Sequence, residues 1–275
     1  MLYNIKNEQI SLTVTDKGGS MTSLIYLQTG EERLWQGNEF WLSQDVVIFP
    51  IIGHAGPYLA NGKRYELKSH GLIRYATLTL KEQTQTKITL GYETGENPFG
   101  NYPYEFEFAI SYELIENCVK VTYFVKSKKG NMPFYVGGHP GMYAPDGEVI
   151  IEFENEENPL VYPLNRDAAF RLEKVKKFIA NKKFFAECKT FQLGSLSGGN
   201  IYATTKDGYR YTYKSDCPVV AFWSNEEGGD YVCVEPWWGI NDFSSAPREI
   251  TLKPFINFDS GKGSTFSYSL MVEKE

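Results

Sequence analysis

The chain has 275 residues, 42% of them apolar and 23% charged, ordinary proportions for a globular fold, and all-β folds of this length commonly form one domain, the expectation here for residues 1–275. A net charge of −6, a pI near 5.3 and a densest basic cluster, "KVKKFIANKKFF", that is offset by Glu173 and Glu187 argue against nucleic acid as a partner. No apolar run approaches the ~18 residues of a membrane span and "MLYNIKNEQISL" lacks a signal-peptide pattern, so a soluble cytoplasmic protein with no membrane partner is expected.

In chain order, period-two alternation broken by turn residues dominates, the signature of half-buried strands. "ISLTVTDKGGSMTSLIYL" reads as strand, Lys17-Gly18-Gly19 turn and strand; "ATLTLKEQTQTKITLGYET" reads as another pair; "YEFEFAISYELIENCVKVTYFVKSK" reads as a long hairpin turning near Glu116-Asn117. "DAAFRLEKVKKFIANKKFFAE" is expected to hold a turn or two of helix at most. "REITLKPF" and "STFSYSLMVEKE" repeat the strand pattern around "DSGKGS", read as a hairpin turn rather than a phosphate loop because it is too short and leads into no helix. Many short strands without βαβ alternation imply an all-β protein, a large antiparallel β-sandwich. The 15% aromatic content suits pleated surfaces and ligands with an apolar face.

The four cysteines, Cys118, Cys188, Cys217 and Cys233, are dispersed and form no zinc or disulfide pattern. Cys118 and Cys233 lie in apolar alternating runs, where a free thiol serves as a small core residue.

Three histidines are the candidates for proton chemistry. His139, in "FYVGGHPGMYAP", has glycines on both sides, which fits either a turn with a buried imidazole or close approach of another molecule. His70, in "KSHGLIRYATL", precedes Arg74 by four residues, an even offset that shares a face if the segment is extended. His54 precedes a loop through Pro57 and Asn61-Gly62. The histidines show no HxH, HxxxH or 2-His-carboxylate spacing, so no metal is expected. In "YVCVEPWWGIND", Glu235 interrupts an apolar strand beside Pro236, Trp237 and Trp238; desolvation there would raise its pKa and suit it to accept protons, whereas an ion pair with Arg74 or Arg248 would make it structural.

The ordered motifs "HGLIR", "GGHP" and "VCVEPW" resemble those of the aldose 1-epimerase (galactose mutarotase) superfamily, particularly its LacX-like branch, and the likeness extends over nearly the whole chain through "VVIFPIIGHAGPYLANGKRYELKSHG" and "NKKFFAECKTFQL". The resemblance implies the galactose mutarotase-like supersandwich and acid/base interconversion of the α and β anomers of a hexose without a cofactor. It implies His70, His139 and Glu235 as catalytic residues, and Arg74, Trp237, Trp238 and His54 as substrate-binding ones. The implied partner is a small-molecule aldose, acted on by a monomer or a homodimer. After His139 the chain reads "PGMYAP" where galactose mutarotases have a phenylalanine-asparagine pair, and Asp207, Asp216 and Asp242 all remain candidates for the family's sugar-binding aspartate. Other readings are a non-catalytic sugar-binding protein on the same fold, a hexose-6-phosphate mutarotase, and a glycosidase, which would normally need a second carboxylate.

Overall fold

Residues alternate between buried and partly exposed along the whole of Phe106–Ile115, and its partner Cys118–Ser127 alternates in step. That alternation puts Phe106, Phe108, Ile110, Tyr112 and Leu114 on one face, where each fully buried apolar side chain contributes about 1.5–3 kcal/mol. The computed structural model describes residues 1–53, 57–95, 101–164, 168–242 and 247–275. His54 lies outside the described residues.

Two large sheets carry the described fold. The first has nine strands in the spatial order Val175–Ala180, Val149–Glu157, Asn200–Thr205, Tyr209–Ser215, Ser264–Lys274, Cys118–Ser127, Phe106–Ile115, Lys87–Glu93 and Thr79–Gln83, all antiparallel. The second has eight. It runs Phe170–Arg171, Leu160–Val161, Phe191–Gly194, Val219–Trp223, Tyr231–Trp238, Val136–Gly138 and Val47–Ile48, with Gly141–Tyr143 also on Tyr231–Trp238. Their facing sides meet in one apolar cluster that includes Tyr123, Val125, Phe134, Val234, Trp238, Tyr268 and Leu270. This is the large antiparallel sandwich that the alternation implies.

Three local expectations meet different outcomes. The helical segment is one short α-helix, Lys182–Cys188, capped by the Asn181 side chain, which accepts from the Phe184 N–H. "REITLKPF" does not form a strand; its centre is the 3₁₀ turn Ile250–Leu252, which buries Ile250 and leaves Leu252 exposed. "DSGKGS" is a turn but not a hairpin, because Asn257–Asp259 pairs with Met132–Phe134 while Ser264–Lys274 pairs with Cys118–Ser127. Asp259 fixes it by accepting from the N–H groups of Ser127, Gly261 and Gly263.

The strand Tyr231–Trp238 is buried at every position. Its neighbour on one side is broken in two: Val136 and Gly137 pair with Trp238 and Trp237, and Gly141, Met142 and Tyr143 pair with Cys233, Val232 and Tyr231. Between them Pro140 and Pro236 lack an N–H, so the ladder stops. The register is the same on both sides of the gap, which leaves His139 standing opposite Glu235.

His70 arrives by a different route. The expected extended face for His70 and Arg74 does not form: His70 has φ +63° and Gly71 φ +84°, and Ile73–Tyr75 is a 3₁₀ turn. The turn is laced to residues 49–53, since His70 N–H donates to Gly53 O at 2.9 Å and Leu72 N–H to Phe49 O at 2.7 Å. A Cβ on Gly71 would lie 2.3 Å from Phe49 O. Gly71→Ala should therefore lower stability by at least about 1–3 kcal/mol, through backbone strain and lost lacing, whereas Gly95→Ala, in open space, should stay within about 0.5 kcal/mol. Urea midpoints of the two variants check this; equal midpoints would mean that the His70 turn is not held by that contact.

Candidate active site

Glu235 and His139 face each other with Oε2 and Nε2 3.4 Å apart, and their side chains are 1% and 8% exposed. Neither carboxylate oxygen of Glu235 nor Nδ1 of His139 has a hydrogen-bond partner among the described residues. The alternative ion pairs do not form, because Arg248 pairs with Asp242 and the Arg74 guanidinium donates to Ser43 Oγ at 3.4 Å. Burial pushes the Glu235 carboxyl well above the usual carboxylate range; the Trp237 indole N–H, turned toward it without closing a hydrogen bond, partly offsets the rise, and the Asp45 charge adds to it. Burial pushes His139 well below the usual imidazole range, and the charges of His70 and Arg74 push the same way. Both shifts favour the uncharged forms, a carboxylic acid beside a neutral imidazole.

His70 completes the cluster. Its ring meets that of His139 edge to face, centroids 5.3 Å apart, and its Nδ1 accepts from the Gly53 N–H at 3.3 Å, which puts the proton of the neutral ring on Nε2.

Trp237 lies two residues from Glu235 on the same side of the strand, packed with Val46, Ile48, Ile52, Tyr135, Val219, Ala221 and Ile240 in a second apolar cluster. Trp238 does not join it. Alternation turns it to the opposite side, into the core between the sheets, where it packs on Phe266 and Tyr123 and its Nε1–H donates to Asp216 Oδ1 at 3.2 Å. Trp238 therefore faces the core between the sheets and not the Glu235 side of the strand.

The aromatic neighbours of His139 are instead Trp41 and Trp223, each with a ring centroid 5.3 Å from the imidazole. Trp41 stands at a loop position that strand periodicity does not flag. It packs against Gly141, where a Cβ would lie 2.4 Å from Trp41 Cζ3. Asp45 is a second residue that strand periodicity does not flag. It is buried, accepts from the Met21 N–H at 3.1 Å, and is pushed up to about 6 by burial, against the pull of nearby N–H groups that include that of His139.

The three candidate aspartates are all engaged: Asp207 with Arg33 at 3.1 Å, Asp216 with Trp238, and Asp242 with Lys253 at 3.1 Å. The Asp242 charge also acts on Tyr135, a member of the Trp237 cluster. Cys118 is half-buried and Cys233 fully buried, and all four thiols are free. Among the described residues no helix is long and apolar enough to cross a membrane.

Comparison with known proteins identifies relatives of the chain. The sequence profile of the aldose 1-epimerase family matches residues 1–157. The plasmid-encoded protein LacX of Lactococcus lactis subsp. lactis is 25% identical over 268 residues, covering 88% of this chain and 89% of LacX. A galactose mutarotase related enzyme from Lactobacillus acidophilus superposes with a TM-score of 0.92 at 27% identity, covering 100% of this chain and 98% of that one. A galactose 1-epimerase from Lactobacillus acidophilus NCFM shares the fold with a TM-score of 0.71 at 11% identity, over 98% and 93% of the two chains. With ordered histidine and glutamate motifs, an antiparallel supersandwich and a profile match over more than half its length, the chain belongs to the aldose 1-epimerase family.

Proposed function

We propose that the protein is an aldose mutarotase that interconverts the α and β anomers of a free hexose, and that the buried Glu235–His139 pair does the proton transfers. The observation that supports this is their side-by-side placement, 3.4 Å apart, in a site that screens them from water. Ring opening removes the proton of the C1 hydroxyl, breaks the bond from C1 to the ring oxygen and protonates that oxygen. Both oxygens are attached to C1, so one base and one acid must stand next to each other.

Glu235 takes the C1 hydroxyl proton and His139 gives one to the ring oxygen. Rotation about C1–C2 and reversal of the transfers yield the other anomer. The resting pair keeps its proton on the carboxyl; hydroxyl donors of a bound sugar stabilise the carboxylate and move that proton to the imidazole. The Arg74 charge that disfavours imidazolium also makes it a stronger acid once formed. His70 donates from Nε2 to the sugar and limits the charge that develops on its oxygens, while Trp237 and Trp41 offer apolar surface to the ring. No cofactor enters these steps.

Each positioned acid or base contributes about 10²–10⁴ in rate. Glu235→Gln and His139→Asn should each slow anomer exchange, followed by NMR, at least about 100-fold with the fold intact. Either folded variant retaining near wild-type exchange removes that residue from the mechanism. His70→Asn should lose rate as well as affinity; a loss confined to affinity would leave His70 a binding residue.

The active state holds one proton on the pair. Acid destroys it by protonating His139, below the ordinary imidazole value because burial lowers that group. Alkali destroys it by ionising Glu235, above the ordinary carboxyl value because burial raises that group. The rate should therefore form a bell whose acid limb lies below the ordinary imidazole value and whose alkaline limb lies above the ordinary carboxyl value. A single limb centred near pH 6.5, as for a freely titrating histidine, would contradict the pair.

Phosphate recognition usually gathers two or more cationic donors. Here Lys253 and Arg248 are both committed to Asp242, and Arg74 is the cation that acts on His139. Free hexoses should be turned over at least as well as their 6-phosphates, with Arg74→Ala weakening both alike. Strong preference for the 6-phosphate that Arg74→Ala abolishes would make the protein a sugar-phosphate mutarotase.

A further inference from the structure

Cys233 lies two residues before Glu235, on the same side of the strand and opposite Gly141 and Trp223. It is fully buried, yet its sulfur is not simply packing. One ligand-type atom from each of His139, Cys233 and Glu235 lies within 4.8 Å of the other two. Sequence spacing conceals the group because its members come from two facing segments, with only Cys233 and Glu235 on one strand.

We propose that His139, Cys233 and Glu235 form a site for a thiophilic divalent cation, Zn²⁺ or Co²⁺, whose binding shuts off the proton-transfer pair. Thiolate, imidazole and carboxylate together favour such ions over Mg²⁺ or Ca²⁺, which prefer oxygen alone. With ligand bonds of about 2.0–2.3 Å, a tetrahedral ion needs its ligand atoms roughly 3.3–3.8 Å apart. His139 and Glu235 already meet that spacing at 3.4 Å, and Cys233 reaches it by a shift of at most about 1 Å. The carboxyl oxygens of Glu235, buried without hydrogen-bond partners, supply the second reason: they keep acceptor capacity that the protein leaves unfilled and a cation would use.

Binding is balanced by proton release. The Cys233 thiol, held well above its ordinary value by burial, and the Glu235 carboxyl each give a proton to solvent as the metal bonds to sulfur and oxygen, while His139 binds through a neutral ring nitrogen. Affinity therefore rises with pH. The site is inhibitory rather than catalytic, because the metal occupies the base and the acid together. Its effect on rate rests on the mutarotase reading above, but its existence does not.

The test is titration with CoCl₂, using the sulfur-to-cobalt charge-transfer band in the near ultraviolet, on wild type, Cys233→Ser and Glu235→Gln, each shown to be folded by circular dichroism. Wild type should develop the band at one equivalent, ZnCl₂ should displace it, Cys233→Ser should lack it, and Glu235→Gln should need at least about ten-fold more cobalt. In parallel, Zn²⁺ should reduce anomer exchange reversibly, chelator should restore it, and Cys233→Ser should keep its basal exchange while becoming at least about ten-fold less sensitive. No band at one equivalent, or an equal band in Cys233→Ser, overturns the site. A band without any effect on exchange in an active enzyme overturns the inhibition. A cobalt band in a protein that exchanges no anomers would instead support the site and reject the mutarotase reading.

Discussion

The gap in the ladder beside Tyr231–Trp238 is the constraint on which the site depends. Two prolines, Pro140 and Pro236, remove backbone donors on adjacent segments, one on either side of the level at which His139 faces Glu235, while pairing above and below keeps the register. A short stretch of sheet is thereby freed from backbone hydrogen bonding without losing its position. His139 and Glu235 occupy it, held from both ends as tightly as a paired strand but with side chains rather than amides facing each other. Rigid placement on strands suits chemistry that needs an acid and a base at fixed separation.

Holding two ionisable groups away from water would cost several kcal/mol if both were charged and poorly paired. Sharing one proton would avoid most of that cost and give the state that the proposed ring opening requires. Several features serve this end. The Trp237 cluster on the Glu235 side of the sheet and the rings of Trp41 and Trp223 around His139 keep the pair desolvated. Asp45, buried, accepts from the N–H of Met21 at the start of Met21–Tyr26, and the His139 N–H is among the groups that act on its carboxyl. The His70 turn brings in a third ring from a separate part of the chain through hydrogen bonds to residues 49–53. The same packing brings ligand-type atoms of Cys233, Glu235 and His139 within 4.8 Å of one another, the arrangement on which the proposed metal site rests.

Much of this was legible in the sequence because strand periodicity is strict. The hairpins around Gly18-Gly19 and Glu116-Asn117 follow directly from alternation and turn residues, and the charged Glu235 within an apolar strand marked the site. What was not legible depends on tertiary contacts. Trp238 is adjacent to Trp237 in sequence, yet the pleat sends it into the opposite core. Trp41 lies in a loop whose path is set by contact with Gly141. "REITLKPF" alternates like a strand, but its centre closes into a 3₁₀ turn that buries Ile250 instead of pairing in a large sheet. Cys233 read correctly as buried; that its thiol neighbours an acid and an imidazole depends on the facing segment, which no local pattern reports.

The shared proton can be observed directly. With only three histidines in the chain, ¹⁵N labelling of the imidazoles and assignment through His139→Asn would let the His139 ring be followed as pH is lowered. A desolvated one-proton pair predicts that His139 stays a neutral imidazole well below the ordinary value of about 6.5 and that its ring shifts respond, at the alkaline end, to the ionisation of Glu235, a response lost in Glu235→Gln. A His139 that titrates near 6.5 and is indifferent to Glu235→Gln would contradict the coupling between the two residues.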